Sequence, residues 1–365
     1  MLNVLIYTPD IMLSSDLDSI TIMTDADFVD VVFRADGYPL LSGRYYPLDR
    51  RVTVSNLGEL VESQLAGNTD TNWTECTIEA TAGSEEAEKS FRVMYCSRSV
   101  DVFDFSSWLQ QNFLTAAPFH RVKPSDMLRL VWYTTEKEGI SCMVYATFLD
   151  PNGKRDVYQY VHSGNGLIAH VNDIMQQYIY IRDVIDRIKS AKKLDAITLQ
   201  SVTVRVKERS VTYFVDPSLD SARKFYFVNC FNIVEQLSLV CTTTDKINSD
   251  RSVAVIGRGA QFYDVTNSKE YETETGPLTS DECRLIEQML QSPKVKIQWG
   301  YEGEVEEDFD AMFEILITDF TCELSDSNTE LNKVKFTWQF AETTPKLDVP
   351  TSPGIFNDKF NPVYS

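Results

Sequence analysis

Apolar residues along this chain gather in short β-branched or aromatic runs separated by turn residues, and helical spacing is confined to a few stretches. Leu2–Tyr7, Ile20–Thr24, Phe28–Arg34 and Leu40–Tyr46 read as strands, with Asp36-Gly37 as a hairpin signal between the last two. Val52-Thr53-Val54 leads into Ser55-Asn56, a helix N-cap, because Leu57, Leu60, Val61 and Leu65 then recur at helical spacing. Trp73–Thr81 and Ser90–Cys96 are longer strands around the polar turn Ala82-Gly83-Ser84-Glu85. Phe105–Leu114 reads as a short connecting helix and Pro118–Pro124 as a linker.

The stretch from Asp27 to Cys96 is then repeated. Phe33-Arg34-Ala35-Asp36-Gly37 lies over Phe148-Leu149-Asp150-Pro151-Asn152-Gly153, and at an offset of roughly 116 residues Val52 falls on Ile168 and Asn56 on Asn172. Glu88-Lys89-Ser90-Phe91 lies over Glu208-Arg209-Ser210-Val211 at an offset of about 120, so the second copy carries a few extra residues in between. An offset near the usual domain size indicates duplicated domains, not a solenoid. In the second copy Met127–Thr135, Ser141–Leu149 and Val157–Val161 are strands, and Ile197–Val206 with Val211–Val215 closes it. A helix from about Asn172 to Lys193 carries Val171, Ile174, Tyr178, Ile181, Ile185 and Ile188 spaced alternately three and four apart, a coiled-coil-like seam. The seam packs either on its own sheet or, with Ile181, Ile185 and Ile188 as contact residues, on another chain.

From Phe225 the pattern changes. Phe225–Val228, Glu235–Cys241, Ser252–Ile256, Gln261–Val265 and Lys269–Thr275 read as strands broken by Asn-Ser-Asp, Gly-Arg-Gly and Thr-Asn-Ser turns. Thr279-Ser280-Asp281-Glu282 is a capping box, so a helix runs over 279–291 with Leu285, Ile286, Met289 and Leu290 on its apolar face. Lys294–Trp299, Met312–Cys322 and Lys333–Phe340 are strands again, the last placing Phe336, Trp338 and Phe340 on one side. The tail beyond Thr343 holds Pro345, Pro350, Pro353 and Pro362 and reads as an extended arm, whose Phe356, Phe360 and Tyr364 are candidate contacts with a neighbour. The expected architecture is mainly β: tandem β-sandwich modules with one α-helix each, over 1–117, 118–220 and 221–342, the first two related by duplication, then an arm over 343–365.

Composition narrows the function. A chain of 365 residues has room for two or three cores. A net charge of −20 argues against specific nucleic-acid binding and against docking on anionic lipid. No run is long enough for membrane insertion, and Met1–Asp10 lacks the basic start of a signal peptide. Seven cysteines without a C-x-x-C pair suit reduced, buried thiols, which makes the Asn72-Trp73-Thr74 sequon incidental.

The residue pattern offers no catalytic, cofactor-binding or metal-binding constellation. His120, His162 and His170 form no zinc spacing, and Gly257-Arg258-Gly259 lacks the Lys and Ser/Thr of a phosphate loop. Asp16/Asp18, Asp25/Asp27 and the run from Glu302 to Asp310 offer carboxylates, but in the pattern of solvated loops and without a calcium ladder.

The third module, with its capped helix Thr279–Gln291 and closing Lys335-Phe336-Thr337-Trp338-Gln339-Phe340, resembles the tail-tube-type sandwich of bacteriophage tail and baseplate proteins. Gly43-Arg44-Tyr45-Tyr46-Pro47 and Asn112-Phe113-Leu114-Thr115 are similar to parts of tail-associated proteins of Bacteroidetes phages and prophages. The resemblance implies a virion structural protein made in the host cytoplasm, without cofactors. Its partners would be further copies of itself and other tail or baseplate proteins, in an oligomeric ring or hub whose acidic lumen lets DNA slide. The competing expectations are a cell-surface adhesin or carbohydrate-binding protein, suggested by Trp73, Trp108 and Trp132, and a carboxylate-pair glycosidase.

Overall fold

The computed structural model describes residues 11–66, 72–98, 105–115, 117, 119–134, 139–168, 173–256, 258–298, 312–323 and 332–342. The chain divides into two compact units, Met1–Pro217 with Val228–Glu235, and Ser218–Phe227 with Gln236–Ser365.

The first unit holds two modules with the same topology. In the first, strand Ile11–Leu13 pairs in parallel with Glu85–Met94, and Trp73–Ala82, Val29–Ala35 and Tyr38–Tyr45 continue the five-stranded sheet. Ser19–Met23 and Arg51–Ser55 form a separate pair, followed by helix α1, Leu57–Leu65. In the second, Phe119–Val122 pairs in parallel with Arg209–Val215, and Thr198–Val206, Gly139–Leu149 and Arg155–Ile168 continue the sheet. Met127–Thr134 and Asp173–Tyr180 again form the separate pair. Element for element the strand orders match, including the parallel edge, so the duplication is a property of the fold.

Alternation explains each core. Along Val29–Ala35 every second side chain is fully buried, and Ile20, Ile22, Val52 and Val54 of the strand pair meet them with Leu57, Val61 and Leu65 of α1 between. The second module packs Val144, Ala146 and Phe148 against Leu128, Leu130, Trp132 and Ile179 in the same way.

Several sequence expectations change, among them the linker over Pro118–Pro124, where Phe119–Val122 is instead the parallel edge strand of the second module. The helix expected over about 172–193 is shorter: Asp173–Tyr180 is a strand, and α3 spans only Ile181–Lys192 (the connecting helix Phe105–Gln111 being α2). Spacings of three and four over eight residues do not separate helix from strand, and here Met175 and Ile179 face the core while Tyr178 and Tyr180 face outward. The repeat register moves with it. Val52 corresponds to the strand before α3 and not to Ile168, the turn Ala82–Glu85 corresponds to Val206–Arg209, and the extra residues lie ahead of the strand Asp173–Tyr180. Finally, Val228–Glu235, expected in the third module, belongs to the first unit, because Phe231 and Ile233 bury there against Leu13, Met94, Cys96, Leu109, Leu114, Val131 and Tyr133.

The second unit carries a seven-stranded sheet in the order Val234–Leu239, Arg223–Val228, Val295–Ile297, Phe313–Glu323, Lys333–Phe340, Gly259–Thr275, Cys241–Ile256. Helix α4, Ser280–Leu290, lies against Phe313–Glu323 and Lys333–Phe340 and starts with the expected capping box, Thr279 Oγ1 accepting from Glu282 N and Thr279 N donating to Glu282 Oε2. Trp338 is fully buried, stacked on Tyr271 at 4.3 Å, and donates its indole N–H to Thr273 Oγ1 at 2.9 Å. The segments expected as Ser252–Ile256, Gln261–Val265 and Lys269–Thr275 merge into two long strands that pair throughout, because the Asn-Ser-Asp and Thr-Asn-Ser stretches face each other as ladder pairs and not as turns.

Gly58, in the first turn of α1, donates its N–H to Leu17 O at 2.8 Å, and a Cβ there would stand 2.1 Å from Ser14 O. Gly58→Ala is expected to destabilise the protein by about 1–3 kcal/mol through forced backbone displacement, read as a lower urea midpoint at unchanged slope. Gly83→Ala, with open space around it but a left-handed φ of +64°, is expected to cost about 1–2 kcal/mol.

Candidate functional site

His120 is buried, stacked on Tyr213 at 5.3 Å and bonded through Nε2 to Thr115 Oγ1 at 3.1 Å; burial pushes its pKa below the ordinary imidazole value and keeps it neutral. His162 lies 3.0 Å from the Gln177 amide nitrogen, and burial lowers it too. Asp25 pairs with Arg50 at 3.1 Å on the surface, and burial raises the Asp16 carboxyl. Among the described residues no three His, Cys, Asp or Glu side chains gather as a metal site. The acidic run Glu302–Asp310 and His170 lie outside the described residues.

The most distinctive surface is the long hairpin of the second unit. Its strand Gly259–Thr275 pairs with Lys333–Phe340 only over Tyr271–Glu274. Beyond Asp245 and Tyr271 the two strands pair with each other alone as far as Ile256 and Gly259, a ribbon about 35 Å long at β-strand rise. Two-stranded ribbons are marginal by themselves in water. This one also displays apolar side chains: Val253 and Phe262 are direct ladder partners, and Val255 stands two positions on along the same face. Their exposures are 54%, 58% and 76%. Arg251 lies over the Phe262 ring at 5.5 Å. From the ladder pair Arg251–Val265 to the turn the tip carries Arg251, Arg258 and one acid, Asp264, an apolar end of slightly basic balance on a chain of net charge −20.

A charged clamp holds the base of the ribbon. Glu272 accepts from both Lys246 on the opposite strand and Lys335 on the neighbouring one, and Lys269 pairs with Asp245 at 3.0 Å. The Lys246 and Lys335 ammonium groups pull the Glu272 carboxyl down to about 2.

Open edges add further contact surface. Tyr38–Tyr45 and Arg155–Ile168 are edge strands of their sheets, with Tyr38, Val157 and Val161 exposed.

Of the contact residues suggested by the sequence, Ile181 and Ile188 are fully buried in the second module's own core, with Ile185 packed partly buried beside them. Burial inside the chain removes Ile181 and Ile188 from its outer surface. Phe356, Phe360 and Tyr364 lie outside the described residues. The tryptophans that suggested a glycan platform are used in packing: Trp132 is buried, Trp108 stacks on Phe105 at 5.7 Å and tilts on Phe231, and Trp73 is half-buried beneath Arg92. Sequence patterning missed the ribbon because its mid-strand Asn, Ser and Asp imitate turns. The cue was the symmetry of polar triplets about Gly257-Arg258-Gly259.

No protein-family model matches the chain, and no curated protein matches it. Among solved structures, the crystal structure of CBD12 from CALX1.2 is similar over 53% of this chain and 76% of its own, at 5% identity and a TM-score of 0.17. So loose a superposition carries no argument, and the mainly β sandwich architecture rests on the pairing described above. No helix among the described residues is long and apolar enough to cross a membrane.

Because the folded pKa of Glu272 lies below its unfolded value, its contribution is present above about pH 4.5 and is lost as pH falls toward about 2. Glu272→Gln is expected to flatten the acid limb of thermal stability in that window, most visibly at low salt. A carboxylate titration followed by NMR checks the same point.

Proposed function

We propose that this protein is a non-enzymatic structural protein that assembles through its ribbon and sheet edges into an oligomeric ring or hub, as a tail or baseplate component of a phage or prophage. The observation that carries the reading is the ribbon: a marginal two-stranded element, with apolar side chains on one face and a basic tip, gains its stability by lying on another subunit. The charge supports the same partner. A tip with two arginines and one acid, Asp264, is complementary to a body whose net charge is strongly negative, so copies of the chain suit one another. Repetition of one such contact around a closed rotation generates a ring. In that setting the virion is the location, other tail proteins are the flanking partners, and an acidic lumen repels the DNA backbone and keeps it mobile.

Sedimentation velocity and negative-stain imaging test this directly. The native chain is expected to form closed oligomers at micromolar concentration. Val255→Asp with Phe262→Asp is expected to weaken assembly by at least about 30-fold while leaving the circular dichroism spectrum unchanged. A native chain that stays monomeric at high concentration, with the ribbon intact to proteolysis, removes the proposal.

A further inference from the structure

Two of the seven cysteines meet inside the first unit although they stand far apart in sequence. Cys96 follows the strand Glu85–Met94 of the first module, and Cys230 sits in the turn Asn229–Ile233 that inserts at the joint between the modules. Their thiols are neighbours and influence each other's ionisation. Cys96 Sγ donates to Arg98 O at 3.0 Å. The surrounding backbone is fixed. Ser97 N donates to Cys230 O at 3.0 Å, Cys96 N donates to Ser14 Oγ at 2.9 Å, and Ser14 Oγ donates to Cys96 O at 3.2 Å. A disulfide requires Cα atoms about 4.4–6.8 Å apart, and here the residue next to Cys96 is one hydrogen bond from the Cys230 carbonyl.

We propose that Cys96 and Cys230 are an oxidative modification site, which hydrogen peroxide converts to a disulfide that fastens the Val228–Glu235 turn to the first module. Cys96 is the attacking sulfur and Cys230 the resolving one. The Cys96 thiolate displaces hydroxide from the peroxide O–O bond and becomes a sulfenic acid; the Cys230 sulfur then attacks that sulfur and its thiol proton leaves with the hydroxyl as water. Overall, two thiols and one peroxide give one disulfide and two waters.

The division of roles follows from the surroundings of the two sulfurs. The neighbouring Cys230 thiol lowers the Cys96 pKa, while Cys96 and burial raise that of Cys230, so Cys96 is the readier of the two to ionise. Cys230 is partly exposed while Cys96 is buried, so a small oxidant approaches the pair from the Cys230 side. The other thiols lack this polarisation. Burial pushes Cys76 up to about 12 and Cys142 and Cys283 up to about 11, which keeps them protonated and inert. The site is independent of the assembly reading, since it lies within one chain. It goes beyond the expectation of uniformly reduced cysteines, because a protein made in a reducing compartment would gain this cross-link on leaving it.

The test is peptide mapping of the full-length protein after brief hydrogen peroxide treatment and alkylation of remaining thiols. The expected product joins Val93–Arg98 to Phe225–Lys246 and is two hydrogens lighter than the separate peptides. Because Cys241 lies in the second peptide, Cys230→Ser must abolish the link and Cys241→Ser must leave it intact. The melting temperature of oxidised native protein is expected to rise by on the order of 5 °C, reversed by dithiothreitol, with no shift in Cys230→Ser. Survival of the link in Cys230→Ser, alkylation of both thiols after oxidation, or over-oxidation of Cys96 without a link each overturns the proposal. Should Cys96→Ala not fold, Cys230→Ser, at a partly exposed turn position, still decides.

Discussion

The arrangement of the first unit depends on how buried polar groups are satisfied at the joint between its two modules. The turn Asn229–Ile233 enters a site lined by Leu13, Met94, Leu109, Leu114, Val131 and Tyr133. A turn buried there must find partners for its backbone, and asparagines supply them. Asn229 Oδ1 accepts from Phe231 N and Ile233 N, its Nδ2 donates to Leu114 O, and Asn232 Nδ2 donates to Leu65 O at the end of α1. Arg209 completes the joint from the second module, its guanidinium donating to Leu109 O, Asn112 O and Tyr133 O around the end of α2. A cation at a helix C-terminus is favoured by the local dipole as well as by the bonds.

The joint also shows how a duplicated fold diverges. Arg209 opens the last strand of the second module, where the first module has Glu85. Glu85 is exposed and Arg209 buried, although each sits one residue past the same two-residue turn. The difference is environmental: one hairpin faces water, the other lies beneath the connecting helix. The strand Met127–Thr134 reflects the same division, turning Leu128, Leu130 and Trp132 to its own core and Val131 and Tyr133 to the joint. Its counterpart Ser19–Met23 buries Ile20 and Ile22 and leaves Ser19 and Thr21 exposed.

In the second unit the balance runs the other way. A sheet anchored by Trp338, Tyr271 and α4 supports a ribbon on which Ile247, Val253, Val255 and Phe262 are exposed. The Glu272 clamp aligns the base by charge, which sets direction more than it adds stability, since exposed ion pairs contribute little.

Much of this was legible in the residues alone. Period-two alternation and turn chemistry located most strands of the first two modules; the Thr279 capping box located α4; and the pairing of Asp36-Gly37 with Asn152-Gly153 revealed the duplication, both glycines taking left-handed φ values in matching turns. These features are local, depending on residues a few positions apart, and the chain carries them wherever it folds. What only the tertiary structure decided was long-range: that Asp173–Tyr180 joins a ladder with Met127–Thr134, that polar triplets face each other along the ribbon, and that Asn229 and Arg209 spend their hydrogen bonds on a distant module. A spacing of three and four, an Asn-Ser-Asp triplet or a lone cysteine has several local solutions of similar free energy. Which of them is taken depends on hydrogen-bond partners and apolar surfaces that approach only once the chain has folded.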